Sequence, residues 1–450
     1  MRNTGITLAQ AALWCNGTVA LQFSHLFFSG VHFDTRSLRA GQLFVAVIGA
    51  RDGHDYAADA LAKGAVAVLA SKPLPPDIPA VYVADTVRAM QDIARCYRRT
   101  LSCRCVGVTG SVGKTTTKEM IAAVLQSGLR TAKTEGNFNN GMGLPLTVLD
   151  IAPDCQAAVL EMGMNHFGEI ALLTRIAQPD IAVITNIGTA HIEYLGSQEG
   201  ILRAKLEILE GLRQGGRLLV NGDDALLRRA AAEHNALTFG FGEGCAIRAE
   251  KLLTDAEGMR FEVSAFGQRF PVFLPLRGTH HVTDALAAVG VGLLCGLTPP
   301  QIVEGLRGFR NTGMRQRIFE LDGVTVIEDC YNAGPESMQA ALRVLAEYDG
   351  RRIAVLGGML ELGDFAAEQH RKIGTAAAAA AELLFAYGTH SAEYVEAACA
   401  SGIAYAEAFP THEALADALR GILRQGDVLL IKGSRGMHME RITALLQNKS

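Results

Sequence analysis

"GVTGSVGKTTTKEM", Gly107 to Met120, is the segment from which the rest of the chain falls into place. The strict phosphate-loop pattern G-x-x-x-x-G-K-S/T is missed by one position. Val108 stands six residues before Lys114, and the glycines sit at 107, 110 and 113. Context decides the matter. "CRCVGV" upstream has the character of a buried strand, and downstream Met120, Ile121, Val124 and Leu125 share one helical face. Strand, glycine loop and helix together aim free backbone N–H groups and the positive end of a helix dipole at an anion. Gly110, Ser111, Val112 and Gly113 form the cradle, and Thr116 extends it into the helix. Lys114 is placed to neutralise β- and γ-phosphates, and the Thr115 hydroxyl to ligate magnesium.

Working outward, 450 residues are too many for one core, so two or three domains are expected. A composition of 49% hydrophobic and 20% charged residues, with net charge −4, fits an ordinary soluble globular protein. It gives no electrostatic footprint for nucleic acid or anionic lipid. The opening "MRNTGITLAQAALWCNG" lacks the apolar core of a secretion signal, and no apolar run reaches the roughly 18 residues of a membrane span. Nine cysteines without metal-ligand spacing suggest reduced, buried thiols in a cytoplasmic protein, "CRC" at 103–105 among them.

Three blocks are expected, at 1–84, 85–311 and 312–450. In the first, "GVHFDTRSL", "GQLFVAVIG" and "VAVLA" suggest strands and "DYAADALAKGA" an amphipathic helix; "SKPLPPDIPA" is a proline-rich loop. "TVRAMQDIARCYRR" is a helix leading into the second block. There, "AAVLEMG", "IAVITNIG" and "GGRLLVNGDD" alternate with the helices "EGILRAKLEILEGL" and "THHVTDALAAVGVGLLCGL", the pattern of a parallel sheet covered on both faces. Residues 238–276 suggest a small antiparallel insertion. The third block restarts the alternation with "VTVIEDCY", "RIAVLGG", "LLFAYG" and "DVLLIKG". The fold class is α/β throughout: a small N-terminal domain, a central phosphate-loop domain with a mostly parallel sheet, and a C-terminal Rossmann-like domain.

The irregular T-G-x-x-G-K-T-T spacing resembles the phosphate loop of the Mur ligases and their folylpolyglutamate synthetase relatives, and the likeness extends over essentially the whole chain. It implies an ATP-dependent amide ligase of peptidoglycan precursor synthesis, working through an acyl phosphate. Its substrates would be a UDP-N-acetylmuramoyl tripeptide and D-alanyl-D-alanine. It also implies a monomer. Glu161, ending "AAVLEMG", and His191, in "NIGTAHIEYLG", match residues that help hold magnesium in the family, most simply as two ions. Lys205, in "EGILRAKLEIL", matches a lysine that is carbamylated in related ligases. A carbamate supplies a ligand oxygen where an ammonium would repel a cation; a solvated helix lysine beside Glu207 is the plain alternative.

The family's adenine segment G-x-H-N-x-x-N-A maps onto "GTHHVTDA", with His280 retained and His281 and Asp284 in place of the two asparagines. An ionised aspartate can only accept, so Asp284 could take the adenine amino proton but not return one. Arg315, in "TGMR", stands where the family contacts phosphate, with Arg317 a second candidate; Asp329 matches the ribose aspartate. "DTRS" (Asp34, Thr35, Arg36, Ser37) and "GARDGHDY" resemble the family's uridine-diphosphate region. Arg36 suits a diphosphate, or else a surface salt bridge with Asp34 or Asp52. "GNFNNGMGLP" supplies Asn137, Asn139 and Asn140 as substrate contacts, or equally as turn formers.

"DCYNAGPESM" resembles D-x-Y-N-A-N-P-x-S-M: Asn332, a candidate for the incoming dipeptide, is kept, and Gly334 replaces an asparagine. "VLGGMLELG" likewise has Gly358 where the family has aspartate, and "KGSRGMHME" matches the C-terminal segment. These departures leave two other readings standing. One is a sibling ligase with a different incoming amine; the other is a non-catalytic paralogue that binds a nucleotide sugar.

Overall fold

The computed structural model describes residues 5–448 apart from 256 and 312. In the first block, Thr18–Val19, Ala80–Tyr82, Ala67–Ala70, Leu43–Val45 and Val31–His32 lie side by side in that order. All pairings are parallel except that of the Thr18–Val19 edge. The strand expected from "GVHFDTRSL" shrinks to Val31–His32. The cause is local: the Asp34 carboxylate accepts from Arg36 N at 2.9 Å and its carbonyl from Ser37 N at 3.1 Å, closing a turn where a strand would continue.

The central sheet has nine strands. From one edge these are Thr131–Lys133, Ala157–Glu161, Arg104–Thr109, Ile181–Ile184, Arg217–Asn221, Leu237–Gly240, Ile247–Thr254, Met259–Ala265 and Gln268–Leu274. Pairing is parallel through Ile247–Thr254 and antiparallel beyond it. The expected insertion is therefore an extension of the same sheet, because Phe239 and Ile247 pair in parallel and carry the ladder across. Ala157–Glu161 and Ile181–Ile184 are buried along their whole length, as strands covered on both faces must be. Helices Lys114–Gln126, Thr279–Leu294 and Pro299–Arg307 cover one face. Thr86–Thr100, Gly143–Leu149 and Glu169–Ala177 cover the other, in a core continuous with that of the first block. Arg98, fully buried there, donates to the carbonyls of Ala177, Leu101 and Gln178 and to Asp180, which ties helix Thr86–Thr100 to the sheet.

The C-terminal sheet runs Arg317–Leu321, Val324–Asp329, Val428–Lys432, Arg352–Gly357, Leu383–Tyr387, Tyr405–Phe409. It is parallel except for the first hairpin. Both edge strands, "RIFEL" and "YAEAF", escape a reading of apolar runs because edges are half solvated and carry charge. No helix among the described residues is long and apolar enough to cross a membrane. All nine cysteines are unpaired, but the expectation that they are buried holds for Cys15, Cys103, Cys105, Cys155 and Cys330 only; Cys96, Cys245 and Cys295 are half-buried, and Cys399 is exposed on helix Ser391–Ala400.

Candidate active site

The phosphate loop follows Arg104–Thr109 and is built from outside as much as from within. Gly110 has φ +153°, and a Cβ there would lie 1.9 Å from Thr185 Oγ1, so no other residue fits. Thr185 Oγ1 and Asn186 Nδ2 donate to the Val112 carbonyl at 2.6 and 3.0 Å, and Asn186 Oδ1 accepts from Val112 N at 3.0 Å. Gly188 N donates to Ser111 Oγ at 2.9 Å. The segment "TNIG" thus clamps the loop so that the unpaired N–H groups opening helix Lys114–Gln126 face the cleft. Lys114 Nζ folds back onto the carbonyls of Gly110 and Ser111 at 2.8 and 3.1 Å. Burial pushes its pKa below the ordinary lysine value, partly offset by Glu161.

Glu161, the last residue of a fully buried strand, is itself 2% exposed. Its Oε2 accepts from Thr115 Oγ1 at 2.9 Å and its Oε1 from Asn139 Nδ2 at 2.8 Å. Lys118, also buried, approaches Oε2 to 3.9 Å while donating to the Thr134 carbonyl at 2.6 Å. His191 sits at φ +63°, with Nδ1 3.0 Å from Glu361 Oε2 of the C-terminal block. Burial, then the charges of Lys114 and Lys205, push its pKa down to about 4, so the imidazole is neutral. Lys205 is 1% exposed and makes no ion pair with a described residue; burial and then Lys114 drive its pKa well below the ordinary value. The plain alternative of a solvated helix lysine is excluded.

Lys114, Thr115, Glu161 and His191 open onto a cleft of about 1120 Å³ between the central and C-terminal sheets, whereas Lys205 and Lys118 are buried and do not line it. His280, His281, Asp284, Arg315, Asp329, Asn137, Asn139, Asn140 and Asn332 line it too. Asp284 Oδ1 accepts from Thr117 Oγ1 at 2.7 Å, and the Gly113 backbone packs so close that a Cβ would sit 2.9 Å away. The aspartate therefore braces the phosphate loop in addition to facing the cleft. Burial raises its pKa, and it faces the His281 ring, whose Nε2 bonds Gln316. Arg315 lies over the Tyr331 ring at 4.0 Å. Arg317 points away, toward Phe319 and Glu328, and does not line the cleft. Asp329 Oδ2 accepts from buried Lys432 at 2.6 Å, leaving its other oxygen for a ligand. Asn140 caps helix Gly143–Leu149 by accepting from Met142 N and Gly143 N, the turn-forming role.

Asp34, Thr35, Arg36 and Ser37 do not line this cleft. The Arg36 guanidinium is exposed and held by Asp34 through Nε and Nη2, at 2.9 and 2.7 Å. Asp52 is engaged by Lys72 and His54. Sequence reasoning missed Thr185, Asn186, Lys118, Lys432 and Glu336. Glu336 Oε1 accepts from Thr189 N at 2.8 Å and Thr189 Oγ1 at 3.0 Å, joining the C-terminal block to the loop after Ile181–Ile184. The polar "TN" closing an apolar strand was the one available signal, since polar residues at such strand ends face ligands.

Comparison with known proteins matches three adjoining family models: "Mur ligase family, catalytic domain" over residues 28–101, "Mur ligase middle domain" over 108–292 and "Mur ligase, glutamate ligase domain" over 314–435. The chain is 41% identical to the UDP-N-acetylmuramoyl-tripeptide–D-alanyl-D-alanine ligase of Bacillus subtilis, covering 97% of each. The chain belongs to the Mur ligase family. The Escherichia coli ligase of the same name is 36% identical over 98% of both chains. Among solved structures, MurF from Acinetobacter baumannii superimposes with TM-score 0.90 at 32% identity, covering 98% of this chain and 99% of that one. MurF from Thermotoga maritima, solved in complex with ADP, gives 0.84 at 31% identity, covering 93% and 97%.

Proposed function

We propose that this Mur ligase joins D-alanyl-D-alanine to a UDP-N-acetylmuramoyl tripeptide at the expense of ATP, in peptidoglycan precursor synthesis in the cytoplasm. The observation that carries the reading is the convergence of Lys114, Thr115, Glu161 and His191 on one cleft whose opposite wall is the C-terminal block. The tripeptide carboxylate attacks the γ-phosphate of ATP, forming an acyl phosphate as the bond to the bridging oxygen breaks and ADP leaves. The dipeptide amine then attacks the carbonyl and gives up a proton, the bond from the carbonyl carbon to the phosphate oxygen breaks, and inorganic phosphate leaves with the amide formed.

Two anions meet in the first step, so positive charge must be held between them. Lys114 changes partners for this, exchanging two loop carbonyls for phosphate oxygens. The helix N-terminus behind it adds fixed N–H donors at no reorganisation cost. Asp284 and "TNIG" hold the loop's shape meanwhile, and Asp329 and Arg315 face the nucleotide from the C-terminal block. Neutral His191 can accept a proton or a cation without first losing one.

The donor set also fits magnesium. Thr115 and Glu161 offer oxygens already 2.9 Å apart, the hard ligands this ion prefers, and His191 lines the same cleft. Magnesium bound there supplies charge screening between carboxylate and phosphate. Lys205 fits a carbamate: it is buried, has no ion-pair partner among the described residues, and burial and the charge of Lys114 disfavour its ammonium form, which frees the lone pair that attacks carbon dioxide. The uridine diphosphate end would extend toward Arg36, which exchanges Asp34 for diphosphate.

The test is product mass. ATP, magnesium, the UDP-muramoyl tripeptide and D-Ala-D-Ala should yield the pentapeptide, and omission of any one should abolish it. Turnover with the tripeptide but only with some other amine would overturn the dipeptide assignment.

A further inference from the structure

Two glycines, Gly334 and Gly358, stand in the third block where the resembling patterns carry side chains, and the structure separates them. Gly358 does not line the cleft; a Cβ there would meet the Thr389 carbonyl at 3.1 Å and Met437 Sδ at 3.5 Å, so the residue is glycine because it is packed. Gly334 is the reverse. Its φ of −145° and ψ of 167° are extended values open to any residue. A Cβ there would meet nothing within 4 Å. The capping of helix Pro335–Ala346 is carried out by Ser337, whose Oγ accepts from Gly334 N and donates to Gly334 O, both at 3.0 Å. Neither backbone conformation nor packing requires glycine, and the residue lines the cleft.

The wall around it is rigid. Buried Ser434 accepts from Leu360 N at 3.0 Å and donates to the Ala333 carbonyl at 3.2 Å, joining the three segments that follow Val324–Asp329, Arg352–Gly357 and Val428–Lys432. This wall faces the phosphate loop across the cleft, the side from which an amine must reach a carbonyl activated at that loop. The missing side chain therefore leaves a gap on the amine's side of the cleft, which exposed Leu360 also lines.

We propose that Gly334 is a specificity-determining position: the gap is a subsite that admits a dipeptide with a residue larger than alanine. This inference rests on the ligase reading above. The enzyme is given the tripeptide, ATP, magnesium and an equimolar mixture of D-Ala-D-Ala and D-Ala-D-Leu, and the two products are counted by mass, which gives the ratio of their kcat/KM values directly. The native protein should form both products in comparable amounts. Gly334→Asn, which takes up the gap, should shift the ratio toward D-Ala-D-Ala by about tenfold or more, the discrimination that losing room for a methylene or more delivers. Gly334→Ala, which adds only a methyl into open space, should fall between them and guards against misfolding of the larger variant. A native enzyme that already rejects D-Ala-D-Leu, or a ratio unmoved by both substitutions, overturns the subsite. Absence of amide product from either dipeptide overturns the ligase reading itself and this inference with it.

Discussion

Glu336 joins two blocks that must approach for the reaction, so removing its side chain should loosen closure without weakening either block. In Glu336→Ala, Thr189 N and Thr189 Oγ1 lose their shared acceptor Oε1, at 2.8 and 3.0 Å. A hydrogen bond to a charged group contributes about 1.5–3 kcal/mol when buried. Glu336 is half-buried and one oxygen serves both donors, so about 2 kcal/mol for the pair is the fitting magnitude. At about 1.4 kcal/mol per decade this shifts the closed-to-open ratio by roughly 30-fold. Glu336→Gln keeps the acceptor but not the charge and should shift it about fivefold. Gly188→Ala offers an independent route: its Cβ would lie 2.6 Å from the Glu336 carboxyl carbon and push the contact apart without removing it. Small-angle scattering of the nucleotide-free protein should show a larger radius of gyration for Glu336→Ala and Gly188→Ala, and KM for ATP should rise in both, with far-ultraviolet circular dichroism unchanged. Native dimensions and native KM in both variants would refute the reasoning.

Lys114→Ala should lower kcat by at least about a hundredfold, because a preorganised charge at the transferring phosphoryl group is lost, while the unfolding transition barely moves; steady-state phosphate release and chemical denaturation together check this. Gly110→Ala should prevent the loop from forming, since its Cβ would overlap Thr185 Oγ1 at 1.9 Å, and nucleotide binding measured calorimetrically should vanish. The thiols set a pH limit. Burial pushes Cys15 up to about 11 and Cys105 up to about 12, so the fold holds both neutral. Their contribution to stability is intact below the ordinary thiol pKa and is lost as pH rises toward those values, because only the unfolded chain can ionise them. Denaturation midpoints should fall between about pH 9 and 11. In the native protein near neutral pH, exposed Cys399 should react with a thiol reagent well before either.

Much of this was legible because it depends on neighbours in sequence. Gly110 to Thr116 must follow a strand and open a helix, and Glu161 must end an apolar run; the structure has each in that place. What stayed hidden depends on approach in space. Nothing beside Glu336 announces that it meets Thr189, 147 residues away. Asp284 looked like a nucleotide contact, and the Thr117 hydroxyl that it accepts from lies on a helix 167 positions earlier. Arg36 invited a long-range partner and found Asp34 two residues back. The antiparallel strands after Ile247 look like an insertion because their alternation differs from the parallel core, yet one shared ladder makes them part of it. Edge strands Arg317–Leu321 and Tyr405–Phe409 carry charge that masks them.

Transfer of isotopically heavy oxygen tests the central chemistry most directly. The tripeptide is prepared with the label in its terminal carboxylate and converted with ATP, magnesium and D-Ala-D-Ala. If the cleft activates that carboxylate by phosphorylation, one labelled oxygen per turnover must appear in the released phosphate. Phosphate released without label, while the amide product still forms, would contradict the account.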